Sequence, residues 1–342
     1  MSFILLPYSI VQMLPFPGKA ILLAPMVGIT NRAFRTLLDE VGRPDYAFTE
    51  MASAEAFISH AQYEAFYTDA RPSPGATSVQ FYARAAASMA AACAEILKRD
   101  AAEAPAGLDI NFGCSAPHIR KSGGGSAWGS NPAGAAEFVA AARAAWPGTL
   151  SAKIRMGPDD DYDRFLSFCS LIAGAGLDFL TVHPRTDGQK FRRSPRHDFT
   201  LRLAKDLSIP VVANGDITDA AAAEALLGEG GASGIMIGRE AVRRPWIFSL
   251  LRAQLRGSTP CPPQDRLAIA LRFLDLVESM LPEAWRLQTS RRFFSYFCEP
   301  LSFSHHIKYR VMNQATIAGM RAALIEYFEQ VPGDRIVFAT TE

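Results

Sequence analysis

Five cysteines in 342 residues, an odd number with no Cys-x-x-Cys pair, lend little support to a disulfide framework or a zinc site. Reduced thiols in a cytoplasmic protein, and no metal, are the expectation. Charge of one sign is also scarce. The formal net charge is only +1, so the chain as a whole does not advertise a polyanionic partner, and any nucleic-acid contact must come from a local patch. No apolar run is long enough to read as a membrane span. The first 17 residues are apolar but lack the basic opening of a secretory signal and are interrupted by Pro7, Pro15 and Pro17. They are read as an arm or short strand covering the bottom of the fold. There is no solenoid repeat and no low-complexity tract.

What is present is ordinary globular material, 49% hydrophobic and 20% charged. From Lys19 onward, short β-rich runs at 20–25, 46–49, 78–81, 108–111, 151–154, 179–182, 211–213 and 234–237 alternate with helical patterns. Those patterns fall at 32–41, 85–99, 133–145, 161–175, 219–227 and 239–251. Strand followed by helix, repeated, means parallel strands with crossover helices. About eight units is the count that closes an α/β (β/α)8 TIM barrel, which usually takes about 250 residues. An open doubly wound sheet shares the local pattern, but no Gly-x-Gly-x-x-Gly follows the first strand. Near Gly257 the pattern changes. The Pro-rich stretch 258–263 cannot continue a helix, and beyond it helical spacing at 265–280, 285–297 and 318–331 predicts a small C-terminal helical domain. The expected division is therefore a barrel over 1–257 and helices over 262–342.

The chemistry concentrates on residues 108–125. Leu108 to Asn111 alternates as a strand does, Gly113 ends it, and Cys114 falls just past a strand's carboxyl end, where barrel loops converge on one mouth. A lone cysteine is more often a small core hydrophobe. Its company argues otherwise, because nearly every strand end carries a charged or amide residue. Asn214-Gly215-Asp216 and Gly238-Arg239 resemble a late-strand phosphate site, with Arg239 as a fixed positive charge. Lys153 places a cation in an apolar strand, where an unpaired charge is costly and a ligand anion is the simplest partner. His183 ends the sixth strand and faces the same mouth.

Taken in order, Ala24-Pro25-Met26 with Thr30-Asn31-Arg32, Thr49-Glu50-Met51, Gln80, Asp109-Ile110-Asn111-Phe112-Gly113-Cys114, Lys153-Ile154-Arg155, His183-Pro184-Arg185-Thr186, Asn214-Gly215-Asp216 and Gly238-Arg239 resemble the tRNA-dihydrouridine synthases. The resemblance runs from about residue 20 to 250. It implies FMN in the barrel, NADPH as reductant, and a helical tail that helps grip tRNA. Pro25, Met26 and Val27 would line the flavin, with Gln80, Lys153 and His183 at its ring or ribityl chain. Asn214, Gly215, Asp216, Gly238 and Arg239 would hold its phosphate. Cys114 would be the catalytic acid, and Asn111, Arg185, Arg120 and Lys121 would meet the substrate. An ordinary cysteine thiol titrates near about 8.5, so a proton donor at neutral pH is chemically apt. Reducing a uracil 5,6 bond needs a hydride at C6 and a proton at C5, from opposite sides of a base turned out of its stack.

Basic residues Arg185, Lys190, Arg192, Arg193, Arg196, Arg202 and Lys205 crowd the region after the sixth strand, and Arg291, Arg292, Lys308 and Arg310 lie in the tail. Phe191, Tyr296, Tyr309 and His305 are candidates for base stacking. The chain departs from the family where Ser115 replaces a usual proline, with Pro117 two positions later, and at Phe81, Tyr82, Ala83 and Pro184. These changes spare the flavin groups and fall on the RNA side, as in a divergent branch acting on tRNA or another structured RNA. Two rival readings remain: another FMN barrel oxidoreductase resembling dihydroorotate dehydrogenase, or a non-catalytic RNA-binding protein on the same fold.

Overall fold

The computed structural model describes residues 14–190 and 192–338. Eight strands alternate with helices: β1 Ala20–Leu23, β2 Ala47–Ser53, β3 Thr77–Tyr82, β4 Gly107–Phe112, β5 Thr149–Arg155, β6 Phe179–His183, β7 Val211–Asn214 and β8 Gly234–Ile237. All neighbours are parallel, β1 pairs with β8, and a bridge from Leu22 to Tyr46 brings β1 to the start of β2. The hydrogen bond from Leu23 N to Tyr46 O, at 2.9 Å, belongs to that closure. The result is the expected (β/α)8 barrel. Its strands are buried on both faces, which is why they read as short, nearly continuous apolar runs.

The helices of the barrel are α1 Arg32–Val41, α2 Ala54–Ile58, α3 Glu64–Tyr67, α4 Ala86–Ile96, α5 Pro117–Lys121, α6 Pro132–Ala145, α7 Tyr162–Gly174, α8 His197–Asp206, α9 Ala220–Leu227, α10 Arg239–Arg243 and α11 Ile247–Arg256. Local chemistry sets their starts. Asn31, Asp161 and Asp219 each accept a backbone N–H of the first turn with their side chains. The single helix expected over 239–251 is two. Pro245 lacks the N–H that would carry the helix through residues 244–246, and the apolar spacing on either side had masked the break.

Phe16 plugs the amino-terminal end of the barrel, its ring edge-on to Tyr46 at 5.4 Å and to Phe179 at 5.2 Å. The arm expected there lies, for residues 1–13, outside the described residues. Beyond the Pro-rich connector come α12 Arg266–Met280, α13 Glu283–Phe297, α14 Ser304–Met312 and α15 Ile317–Gln330. A short antiparallel pair, β9 Gln264–Asp265 with β10 Ile336–Val337, ties the end of the tail to its beginning. Neither α14 nor this pair was foreseen, being too short to carry a periodic signal. Phe34 of α1 meets Phe273 and Phe293, which stack on each other at 3.8 Å, so one apolar cluster runs from the barrel wall into the tail.

Candidate active site

A cavity of about 550 Å³ opens at the carboxyl ends of the strands. Strand alternation aims its walls. In β4, Leu108, Ile110 and Phe112 pack outward under the helices, which leaves Asp109 and Asn111 to point into the barrel. Register then sorts the inward residues into layers. Gln80, Asp109 and Ser151 lie side by side on β3, β4 and β5, Asn111 is level with Lys153, and Arg155 is level with His183.

Cys114 sits at the rim of this cavity. Its N–H and that of Gly113 donate to Asn111 Oδ1 at 2.8 and 3.2 Å, and its carbonyl accepts from Ser126 N at 3.0 Å. Gly125, at φ +57°, lies so close to the Cys114 carbonyl that a Cβ would stand 2.5 Å from the oxygen. Gly125, the last glycine of the run, therefore serves a close approach to Cys114.

Lys153 enters the cavity from β5. Burial, assisted by the neighbouring Arg155 charge, pulls it down to about 7, against the pull of Asp109. Among the described residues its ammonium makes no hydrogen bond or ion pair. His183 is held far below its ordinary value by burial and by the positive charges of Lys153, Arg155, Arg185 and Arg239. It is a neutral imidazole whose Nε2, 3.2 Å from Arg185 Nη1, must accept, since guanidinium only donates.

Asp216 gathers the cations at the late strands. Arg239 donates to it at 2.7 Å, and Arg185 grips both its oxygens. Burial works against this carboxylate, yet the hydrogen bond and charge of Arg185, joined by Arg239, keep it below the usual carboxylate range. Asp216 itself has φ +48°, the left-handed region, directly after Gly215 at φ +127°. A Cβ at Gly215 would press on the His183 ring at 3.0 Å. Asn214 Nδ2 donates to the Met236 carbonyl at 2.8 Å, which ties the end of β7 to β8.

The cavity brings together Pro25, Met26, Val27, Gln80, Asn111, Cys114, Lys153 and His183 with Asn214, Gly215, Asp216, Gly238 and Arg239. Arg185 joins them from a position only 1% exposed, so its charge faces the cavity and Asp216 rather than an outer RNA groove. Arg120 and Lys121 stand apart. They line a separate depression behind the Cys114 loop, with Ser115, Ser126 and Asp187. Arg155 and Met51 also line the main cavity. Arg155 was legible as the residue two beyond Lys153, hence on the same face of β5.

Of the other basic and aromatic residues, many are occupied. Arg196 pairs with Asp160 and Asp198, Arg202 lies over the Tyr162 ring, and Arg310 pairs with Glu326. Arg291 donates to the carbonyls of Met312 and Gln314. Tyr296 packs partly into the core, whereas Tyr309 is 71% exposed and His305 is exposed beside it. Phe191 lies outside the described residues. No helix among the described residues is long and apolar enough to cross a membrane.

The family described as Dihydrouridine synthase (Dus) matches residues 22–328. The chain is 34% identical over 240 residues to tRNA-dihydrouridine synthase B of Klebsiella pneumoniae, covering 70% of this chain and 73% of that one. It is 33% identical over 257 residues to a probable tRNA-dihydrouridine synthase of Mycobacterium tuberculosis, with 72% and 65% covered. To tRNA-dihydrouridine synthase B of Pseudomonas putida it is 30% identical over 280 residues, with 81% and 82% covered. A match across nearly the whole barrel and most of the tail, onto a mouth built in this way, places the chain in the dihydrouridine synthase family.

Proposed function

We propose that this protein reduces a uridine of tRNA to 5,6-dihydrouridine, with FMN as the bound cofactor and NADPH as reductant. The observation that carries the reading is a single cavity walled on one side by Cys114 and on the other by cationic and glycine-rich strand ends. The relatives named tRNA-dihydrouridine synthase support the substrate.

The donor set suits a flavin mononucleotide. Among the described residues the Lys153 ammonium makes no hydrogen bond or ion pair, and Gly215 and Gly238 leave backbone uncovered beside Arg239, as a phosphate requires. Pro25, Met26 and Val27 would lie along the flavin, Gln80, Lys153 and His183 would meet its ring or ribityl chain, and Asn214, Gly215, Asp216, Gly238 and Arg239 would hold its phosphate. The chemistry that a bound reduced flavin supplies is a hydride at C6, with NADPH returning the two electrons. The protein's own part is to clamp the base and protonate it. Cys114 gives its thiol proton to C5 as the C5–C6 π bond becomes two C–H bonds. Asn111, which accepts from the Cys114 backbone N–H, and Arg185 would orient the pyrimidine. Arg120 and Lys121 would contact flanking phosphates of the RNA, and the helices from about residue 262 would form its grip.

Replacing Cys114 by alanine tests the reading. Flavin binding and NADPH oxidation should persist while dihydrouridine formation in tRNA falls by about a hundredfold or more, the usual weight of a general acid. Undiminished dihydrouridine, scored by mass spectrometry of digested tRNA, removes the assigned acid. Orotate formation in place of dihydrouridine would move the protein to the dihydroorotate class.

A further inference from the structure

We propose that Asp109, a residue outside the lining of the cavity, is a positioning residue whose carboxylate anchors the buried end of a hydrogen-bond chain ending at Cys114. The inference rests on the reading of Cys114 as the acid. Asp109 is fully buried beneath the cavity, and its two oxygens each receive one donor. Ser151 Oγ donates to Oδ1 at 2.5 Å and Gln80 Nε2 donates to Oδ2 at 2.6 Å. Gln80 thereby turns its Oε1 toward Asn111, whose Nδ2 donates to it at 2.9 Å. Asn111 in turn presents Oδ1 to the N–H groups of Gly113 and Cys114. Each amide is used in one sense only.

The sense is fixed at both ends. An ionised carboxylate accepts and cannot donate, so Gln80 must offer it N–H rather than C=O. A flipped Gln80 would set its carbonyl against the carboxylate and its NH2 against the Asn111 NH2, breaking two links at once. The backbone N–H groups of Gly113 and Cys114, which only donate, fix the same sense from the other end, so the chain is held between two ends that agree. Strand register holds the first members in line, since Gln80 is opposite Asp109 and Asp109 opposite Ser151. Each Asp109 oxygen takes a donor, as an ionised carboxylate does, and these donors with Lys153 oppose the burial that pushes the group up to about 6. The amides that face the cavity are therefore anchored by a charge below it, and the Cys114 backbone is anchored by those amides.

Two variants test this. Asp109→Asn keeps the shape but offers Gln80 a neutral acceptor in place of a charged one. Asp109→Asn combined with Gln80→Glu moves the carboxylate one link along, so Asn111 donates into a charge while its Oδ1 faces Cys114. The first readout is alkylation of Cys114 by iodoacetamide, followed by peptide mass spectrometry with buried Cys93, Cys169 and Cys298 as internal controls. It needs no substrate. Alkylation should rise about tenfold in the single variant, the weight of one charge-assisted hydrogen bond, and return to within about threefold of the parent in the double variant. The second readout separates half-reactions. In Asp109→Asn, transfer to tRNA should fall about tenfold while flavin reduction by NADPH stays within about twofold. Unchanged alkylation in the single variant, no recovery in the double, or equal loss in both half-reactions overturns the proposal. Should the parent protein make no dihydrouridine while alkylation still responds as stated, the positioning role stands and the functional reading falls.

Discussion

Arg292, on α13 of the helical tail, donates through Nη1 to the carbonyl of Val27 at 2.8 Å, on the loop that follows β1. One residue on, the N–H of Gly28 donates to the buried carboxylate of Glu50 in the middle of β2. A tail helix, the mouth loop and a barrel strand thus meet at a single peptide group, the one that joins Val27 to Gly28. Any flavin seated against Pro25, Met26 and Val27 rests on a loop that the tail holds in place.

Gly28 makes that contact possible. Its φ is +71°, and a Cβ built on it would overlap the Arg292 guanidinium. Gly28→Ala should lower stability by about 1 to 3 kcal/mol, part from the left-handed backbone and part from displacing Arg292. In an Arg292→Ala background the same change should cost less, because only the backbone part remains. Urea unfolding of the two singles and the double measures the difference. Strictly additive losses would show that Gly28 and Arg292 do not press on each other.

Glu50 should give this corner a pH dependence. Burial pushes it up from 4.5 to about 7, against the Gly28 N–H and the charges of Arg35 and Arg292. For an acid raised in the folded state, the stability it contributes is fully present below the unfolded value and is lost as the pH rises through the folded one. Glu50→Gln keeps an acceptor for Gly28 and abolishes the titration. The stability of this variant relative to the parent should therefore grow as the pH rises from about 4.5 to about 7, then level off. A difference that stays constant across that window would mean that Glu50 is ionised throughout.

The barrel was legible because parallel strands buried on both faces give short apolar runs, and every one of the eight expected runs overlaps an observed strand. Cys114 was legible for a related reason, since alternation up to Asn111 and a glycine after it mark a strand end. Asp109 was not, because the same alternation makes it look like the solvent-facing half of a strand. Only closure of the sheet turns that face into a sealed interior. Arg185 misled in the opposite way. Counted among surface charges by its neighbours in sequence, it is drawn inward by Asp216, which arrives from a strand end 31 residues later.

Arg239 is the assigned phosphate contact, and Asp216 already holds it in place at 2.7 Å. Preorganisation of this kind reduces what must be ordered when an anion arrives. Arg239→Ala should weaken FMN retention by about 1.5 to 3 kcal/mol, or roughly 10- to 100-fold in dissociation constant. Arg239→Lys should recover only part, because an ammonium carries the charge without the planar fork. Equal flavin content in parent and alanine variant after gel filtration would defeat the assignment.

Lys153 links flavin binding to protons. In the ligand-free protein burial holds it at about 7, down from 10.5, so above neutrality the folded state carries it uncharged while the unfolded chain does not. A group depressed in this way contributes stability that is present above the unfolded value and lost as the pH falls through about 7. An electron-rich ligand reverses the preference, because it favours the ammonium. Binding FMN above neutrality must then draw a proton onto Lys153, and affinity should fall as the pH rises between about 7 and 9, approaching tenfold per unit. Lys153→Met should bind more weakly at neutral pH and with a flat profile over the same range. Fluorescence quenching of FMN at a series of pH values measures both slopes. A parent protein whose dissociation constant does not change with pH would place the ammonium away from the flavin.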